Sequence, residues 1–380
     1  MRFHFSEEQE ELRRVVRRFL DTTSPIAEVR RLMETPEGHE PAVWKQLSQE
    51  LALPGVQIPE AYGGQGFGFV ELGVVLEEMG RALYCGPYFA SVVLAANAIL
   101  NGASDAQKQA LLPGIASGET IATLAIAEPG GGWDPDGIAL EARRSGDSWT
   151  LHGEKSFVLD GAGAELLIVA ARAPGSRGSD GLSLFSLRAD TQGVSRKPLA
   201  VIDPTRKLAR IGFAGARAEL LGDAGAAGPA LAKTLAKACA ALASEMSGGA
   251  QRLLEMSVEY AKTRVQFGRP IGSFQAIKHK CADMLLALEL ARSSAYYAAE
   301  TADEASGESD AELAMAASLA KAQGSDAYLS IAAESIQIHG GLGFTWEQDV
   351  HLYFKRAKSS EVFLGDPASH RELLARHWGL

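Results

Sequence analysis

Between Tyr260 and Met284 the chain gathers Arg264, Gln266, Phe267 and Gln275 around the corner Gly268-Arg-Pro-Ile-Gly272. An arginine offers a planar fork of N–H donors that matches a phosphate, a phenylalanine a face for a flat ring, and a glutamine an amide pair for polar ring edges. Together these are the groups needed to hold a dinucleotide by its pyrophosphate and adenine. Taken singly, an exposed arginine and a core phenylalanine at a helix break are commoner meanings of such residues. Two glycine-rich segments, Gly63-Gly-Gln-Gly-Phe-Gly68 and Gly340-Gly-Leu-Gly343, lack the spacing and strand–helix setting of a Rossmann fingerprint, and no Walker-type Gly-Lys-Ser/Thr occurs. A dinucleotide must therefore be held another way. The histidines form no pair at ligand spacing on one helix, and no metal site is expected. No Ser-His-Asp arrangement supports a hydrolase.

The elements that must position these residues fall into three blocks. Residues 1–118 read as an N-terminal α-helical domain. Ser6 with Gln9 fits a capping box ahead of Leu12, Val15, Val16 and Phe19. Leu72, Val75, Leu76, Met79 and Leu83 form one stripe, with Glu77, Glu78 and Arg81 expected to face away. The Gly/Pro-rich run Leu53–Gly66 is expected to be an ordered loop. Residues 119–224 read as a middle β-domain with strands at 138–143, 148–152, 165–171 and 182–187, punctuated by Gly146-Asp147, Asp160-Gly161 and Pro174-Gly175. The strands are too closely spaced for crossover helices, so an antiparallel sheet or barrel is expected. Residues 225–380 read as a C-terminal four-helix bundle, with helical patterns over 231–264, 274–305, from a cap at Ser309/Glu312 to Gly340, and over 348–376. The fold class is mainly α with a β insertion.

The run from Arg264 to Gln275 resembles the Arg-x-x-Phe-Gly-x-x-Ile-x-x-Phe-Gln signature of the acyl-CoA dehydrogenase family. Pro59–Gly66, Ala127–Asp134, Gly153–Gly161 and Gln337–Phe344 follow in that family's order. The resemblance covers nearly the whole chain and implies that family's fold, with a middle antiparallel β-barrel-like domain, and FAD as cofactor. It further implies that Arg264, Gln266, Phe267, Ile271, Phe274, Gln275, Gln337, Gly340 and Gly341 grip the FAD of a neighbouring subunit. Helix capping alone is a sufficient reason for the two glycines.

Two departures stand out against that pattern. Where family members carry Thr-Glu-Pro, Gly-Ser-Asp and Trp-x-Thr around the flavin ring, this chain has Ala127-Glu-Pro129, Gly132-Trp-Asp134 and Phe157-Val-Leu159. Removing a proton beside a thioester carbonyl needs a carboxylate at the α-carbon. The family's usual glutamate position holds Leu364, and the alternative one on the first long bundle helix holds Ala238. Asp366, Glu361 and Glu245 are the nearby substitutes. Asp366, between Gly365 and Pro367, also reads as a helix cap, and Glu245 as the partner of a buried arginine.

The reading that joins these points is an FAD-dependent α,β-desaturation of an acyl-CoA, with electrons passed to an electron-transfer flavoprotein. This chain would be one subunit of a heteromer with a paralogous acyl-CoA dehydrogenase chain, a tetramer active on a fatty-acid or steroid side-chain thioester. A homomeric enzyme with a non-standard base, Asp366 or Glu245, and a flavin-free structural subunit are the alternatives. Composition is that of an ordinary globular chain: 380 residues, 46% hydrophobic and 22% charged. A net charge of −10 argues against nucleic-acid binding. No run approaches the ~20 apolar residues of a membrane span. Cys85, Cys239 and Cys281 lie far apart and read as small buried hydrophobes of a reducing, cytoplasmic compartment. Lys355-Arg-Ala-Lys358 is expected to be a solvated helix face.

Overall fold

The computed structural model describes residues 5–146, 148–178, 180–304 and 310–380. Asp147 of the expected 146–147 turn and Ser309 of the expected third cap lie outside them. The chain forms two compact units that do not follow its order: residues 1–29, 69–84 and 239–380, and residues 30–68 and 85–238.

The first unit is helical. Helix α1 (Glu7–Thr23) opens with the expected capping box: Ser6 Oγ accepts from Gln9 N at 3.2 Å and Gln9 Oε1 from Ser6 N at 2.9 Å. Helix α4 (Phe69–Arg81) packs against it, joined by residues 239–263 of α7 (Ala227–Thr263), by α8 (Gln275–Glu304) and by α9 (Asp310–His339). The backbones of α4 and α7 touch. A Cβ on Gly80 would stand 1.9 Å from Glu245 O, and one on Gly248 1.7 Å from Glu77 O. Only glycine permits that approach.

The charged face of α4 is not solvated as expected. Glu78 is only 2% exposed and Glu77 is also buried. Arg17 grips Glu78 with Nε and Nη2, both at 2.7 Å, while Arg13 Nη1 lies 2.8 Å from Glu77 and 3.3 Å from Glu78. Tyr296 donates to Glu77 at 3.0 Å. A helix packed between neighbours buries more than one stripe, and its acids then need cationic partners.

The last pattern, read as one helix over 348–376, is broken in two. Helix α10 (Val350–Val362) ends at a turn with Leu364 at φ 63° and Gly365 at φ 100°, and α11 starts at Pro367 and runs to His377. The bundle's fourth arm is therefore bent at Leu364, the position that the resemblance implies for the base.

In the second unit, the last three residues of helix α2 (Ile26–Leu32) and helices α3 (Pro41–Gln49), α5 (Ala96–Gly102) and α6 (Asp105–Ala116) accompany a seven-stranded sheet. The Leu53–Gly66 loop is ordered by two 3₁₀ turns, Leu53–Gly55 and Glu60–Tyr62. The strands are β1 (Ala122–Ala125), β2 (Glu141–Ser145), β3 (Ser148–Leu159), β4 (Leu166–Arg172), β5 (Leu182–Arg188), β6 (Val194–Pro198) and β7 (Leu208–Leu221). Successive pairings β4–β2–β3–β7–β5–β4 return to their start, the closure of a barrel. Most pairs are antiparallel as expected, but β4 runs parallel to β1 and to β2. Leu151, Val158, Leu167, Val169, Phe185, Ile211 and Phe213 fill the interior.

Candidate nucleotide face and vacant base position

At the end of α7 the chain turns through a two-residue-paired hairpin, β8 (Val265–Gln266) and β9 (Arg269–Pro270), with Val265 opposite Pro270 and Gln266 opposite Arg269. Phe267 stands at its tip in the left-handed region (φ 53°) and is 89% exposed. Its ring meets Phe274 edge-on at 6.1 Å, and the Arg269 guanidinium lies 4.1 Å over Phe274. Arg264, Gln266 and Gln275 are exposed, and Ile271 and Phe274 half-buried. Arg264 forms no ion pair among the described residues. A large aromatic face, an unpaired guanidinium and the Gln275 amide thus lie open on one corner, while Gln266 Nε2 donates to Val265 O at 2.9 Å.

Gln337, Gly340 and Gly341 are exposed at the far end of α9, where Gly340 ends the helix at φ 61°. The two segments meet through residues that sequence reasoning missed. Tyr260 stacks on His339 at 4.3 Å and its hydroxyl donates to His339 O at 3.5 Å, while Ser257 and Ser335 bond at 2.9 Å. Tyr260 sits one helical turn before Arg264, and that spacing was the available signal. The sequence-predicted grip residues therefore gather at one end of the bundle.

The base position is sealed by a different set of groups. Leu364 is 4% exposed. Fully buried Lys321 donates to Glu361 O at 3.0 Å, Gly365 O at 2.7 Å and Ser325 Oγ at 3.0 Å. His370 Nε2 lies 3.0 Å from Leu364 O, so that nitrogen carries the proton. Burial, with Lys321 nearby, pushes His370 down to about 4. Cys239 Sγ is 4.0 Å from both Leu364 O and His370 Nε2, and burial pushes its thiol up to about 11. A neutral imidazole, a neutral thiol and an ammonium hold a strained turn; none is a carboxylate.

The three substitute acids are each engaged. Asp366 accepts from Ser369 N at 2.8 Å and caps α11, and that amide holds its carboxyl below the usual range. Glu361 pairs with Lys358. Glu245 is buried against Arg356, with Oε1 2.6 Å from Nη1. Arg356, 3% exposed, also reaches Tyr84 O at 3.4 Å, so the basic run 355–358 is not the solvated face that was expected.

In the second unit the excursion between β1 and β2 is fastened by buried charge. Glu128 Oε1 accepts from Ala139 N at 2.9 Å, Leu140 N at 2.8 Å and Lys155 Nζ at 2.8 Å, and Lys155 also donates to Ile126 O at 2.7 Å. The two shifts of this pair describe opposite balances. Burial of the ammonium outweighs its partner and pushes Lys155 down to about 8. Burial also opposes the charge on Glu128, but it is less deeply buried, and Lys155 together with the amides of Leu140 and Ala139 outweighs burial and lowers the carboxyl. Ala127 and Leu159 are buried and offer only backbone groups, two of which are taken: Ala127 O by Ser156 N at 2.9 Å and Leu159 O by Thr123 Oγ1 at 2.6 Å. Phe157 sits at φ 57° in a bulge of β3 opposite β7, between Lys155 and Val158. Among the described residues no group of three His, Cys, Asp or Glu is placed to hold a metal, and no helix is long and apolar enough to cross a membrane.

A helical bundle preceded by a closed mixed barrel is the architecture that the resemblance to the acyl-CoA dehydrogenase family implies. The comparisons agree: models of the acyl-CoA dehydrogenase N-terminal, middle and C-terminal domains match residues 6–119, 123–208 and 228–379. The chain belongs to the acyl-CoA dehydrogenase family. It is 34% identical to acyl-CoA dehydrogenase IpdE2 of Mycobacterium tuberculosis over 97% of this chain and 96% of that protein. Among solved structures it resembles a variant of the Tcur3481–Tcur3483 steroid ACAD (30% identity, TM-score 0.88, 98% of each chain). It also resembles butyryl-CoA dehydrogenase from Megasphaera elsdenii (26% identity, TM-score 0.92, all of each chain).

Proposed function

We propose that this chain is one subunit of a heteromeric FAD-dependent acyl-CoA dehydrogenase, lending its bundle corner to a cofactor seated mainly in a paralogous chain. The observation that carries the reading is an asymmetry. The corner with Arg264, Phe267, Gln275 and Gln337 is open to solvent, whereas Leu364 stands at the implied base position and Asp366, Glu361 and Glu245 are all committed elsewhere.

The residues present fit the nucleotide end of FAD and not its ring end. Arg264 would pair with a pyrophosphate oxygen, Phe267 would cover adenine, and Gln266, Gln275 and Gln337 would meet polar edges, with Ile271 and Phe274 as apolar support and Gly340 and Gly341 allowing close backbone approach. On the ring side, Ala127 and Leu159 supply no side-chain donor, and each buried polar edge left unpaired costs roughly 1–3 kcal/mol. When bound, FAD supplies the two-electron acceptor for α,β-desaturation of an acyl-CoA, the electrons passing on to an electron-transfer flavoprotein. In this chain nothing at position 364 can hold the α-proton. The carboxylate that does so belongs, in this reading, to the paralogous partner. A steroid side-chain or fatty acyl thioester is the substrate class, and the cytoplasm the compartment.

Absorbance of the purified protein tests the proposal. Alone, the chain is expected to be colourless; co-produced with its paralogue, it is expected to be yellow and bleached by an acyl-CoA. Yellow protein from this chain alone that bleaches with an acyl-CoA would establish the homomeric enzyme instead. Absence of flavin from the co-produced complex would leave a structural subunit.

A further inference from the structure

The hairpin that exposes Phe267 also carries a cation to which the resemblance gives no role. Phe267 (φ 53°) and Gly268 (φ 75°) both have positive φ, as a type I′ turn requires, and a two-residue loop of that type fixes the register of its strands. Gln266 therefore stands opposite Arg269, and Ile271 N donates to Arg264 O at 2.8 Å to continue the ladder. Side chains alternate along a strand, so Arg264, Gln266, Arg269 and Ile271 share one face of the hairpin while Val265 and Pro270 take the other. Three of those four are the grip residues of this corner; Arg269 is the fourth. Arg264 and Arg269 are diagonal neighbours across the ladder, a spacing of roughly 7–8 Å that long side chains bridge.

No acid close in sequence balances the pair. From Tyr260 to Ala282 the chain has five lysines and arginines and no aspartate or glutamate, although its net charge is −10. Lys262 is paired with Glu259 and Lys280 with Glu334, but Arg264 and Arg269, both exposed, form no ion pair among the described residues. Arg269 is nevertheless steadied, because its guanidinium lies 4.1 Å over the Phe274 ring. Stacking occupies one face of the planar group and leaves its N–H edge open to an acceptor. Two guanidiniums on one face, without an acid bonded to either, suit a ligand with two adjacent anionic groups. Resting on the reading of this corner as a grip on FAD, we propose that Arg269 is a second phosphate ligand. Arg264 and Arg269 then each meet one phosphate of the pyrophosphate, and Phe274 supports Arg269 from behind.

The complex co-produced with the paralogue, stripped of flavin and titrated with FAD at two salt concentrations, tests the assignment through flavin fluorescence. Arg269→Gln is expected to weaken FAD binding about tenfold, the scale of one bond to a charged group, and to lessen its salt dependence. Arg269→Lys keeps the charge but not the fork and should recover part of that loss. Arg264→Met, measured in parallel, separates the two readings. If it weakens FAD binding while Arg269→Gln does not, the corner grips FAD and Arg269 has no share in it. If neither variant changes the affinity, or the parent complex takes up no FAD, the reading of the corner fails and this assignment with it. Gel filtration of the flavin-free complexes reports assembly. Loss of the partner by Arg269→Gln before any flavin is added would make Arg269 a protein contact and overturn its role as a phosphate ligand.

Discussion

Replacing Glu245 by leucine separates a structural acid from a catalytic one. Glu245 and Arg356 are 2.6 Å apart and almost wholly buried, and Arg356 also reaches Tyr84 O at 3.4 Å. The Gly80 backbone packs directly against Glu245 O. Removing one partner of such a pair leaves an uncompensated buried charge and costs about 3–5 kcal/mol. Replacing both by apolar residues of similar volume is often neutral, so Glu245→Leu with Arg356→Met should return to within about 1–2 kcal/mol of the parent. Urea unfolding of the parent, both single variants and the double variant closes the cycle and measures the coupling. The reasoning fails if either single variant loses less than about 1 kcal/mol or if the double variant loses the sum of the two. Activity of the co-produced complex gives the second readout. A fully stable Glu245→Gln variant with abolished turnover would make Glu245 the base and would falsify its assignment as an ion-pair partner.

Three further outcomes are expected. His370 is neutral in the fold with its pKa near 4, below the unfolded value of about 6.5, so its share of stability is complete above pH 6.5 and lost as pH falls toward 4. Between pH 7 and 5 the parent should lose roughly 2 kcal/mol more than His370→Asn, read from urea unfolding at each pH. Asp366→Ala removes the α11 cap and should cost about 1 kcal/mol of stability while leaving any turnover of the complex unchanged; a collapse of turnover would make Asp366 the base. Phe267→Ala and Arg264→Met alter exposed side chains, so unfolding of the isolated chain should move by less than about 0.5 kcal/mol. The co-produced complex should nevertheless retain less flavin per chain, measured by absorbance after gel filtration.

Local patterns left clear marks in the sequence. The Ser6 cap, the strands β2 to β5 and the long helices all follow from residues within a few positions of one another, whereas β1, β6, β7 and the hairpin that exposes Phe267 were not read there. Leu364 at the base position needed only the Arg356-to-Asp366 context, and the Asp366 cap was visible in Gly365 and Pro367. Three other features were not local. Glu77 and Glu78 looked like a solvated face because nothing near them names Arg13, Arg17 or Tyr296 as partners. Arg356 looked exposed within a basic run, and its partner Glu245 lies on another helix. The left-handed backbone of Leu364 between α10 and α11 has no glycine-like signal of its own, although Gly365 and Pro367 already marked the start of α11.

Sequence alone thus determined the family and most element types, and it shows a leucine and no carboxylate at position 364, since each is written in residue identity and short-range spacing. Tertiary structure alone decided which charges are buried, because burying an ion is tolerated only where the fold brings its counter-ion within reach. It also brought the ends of α7 and α9 together through Tyr260 and His339, turning two separate motifs into one corner.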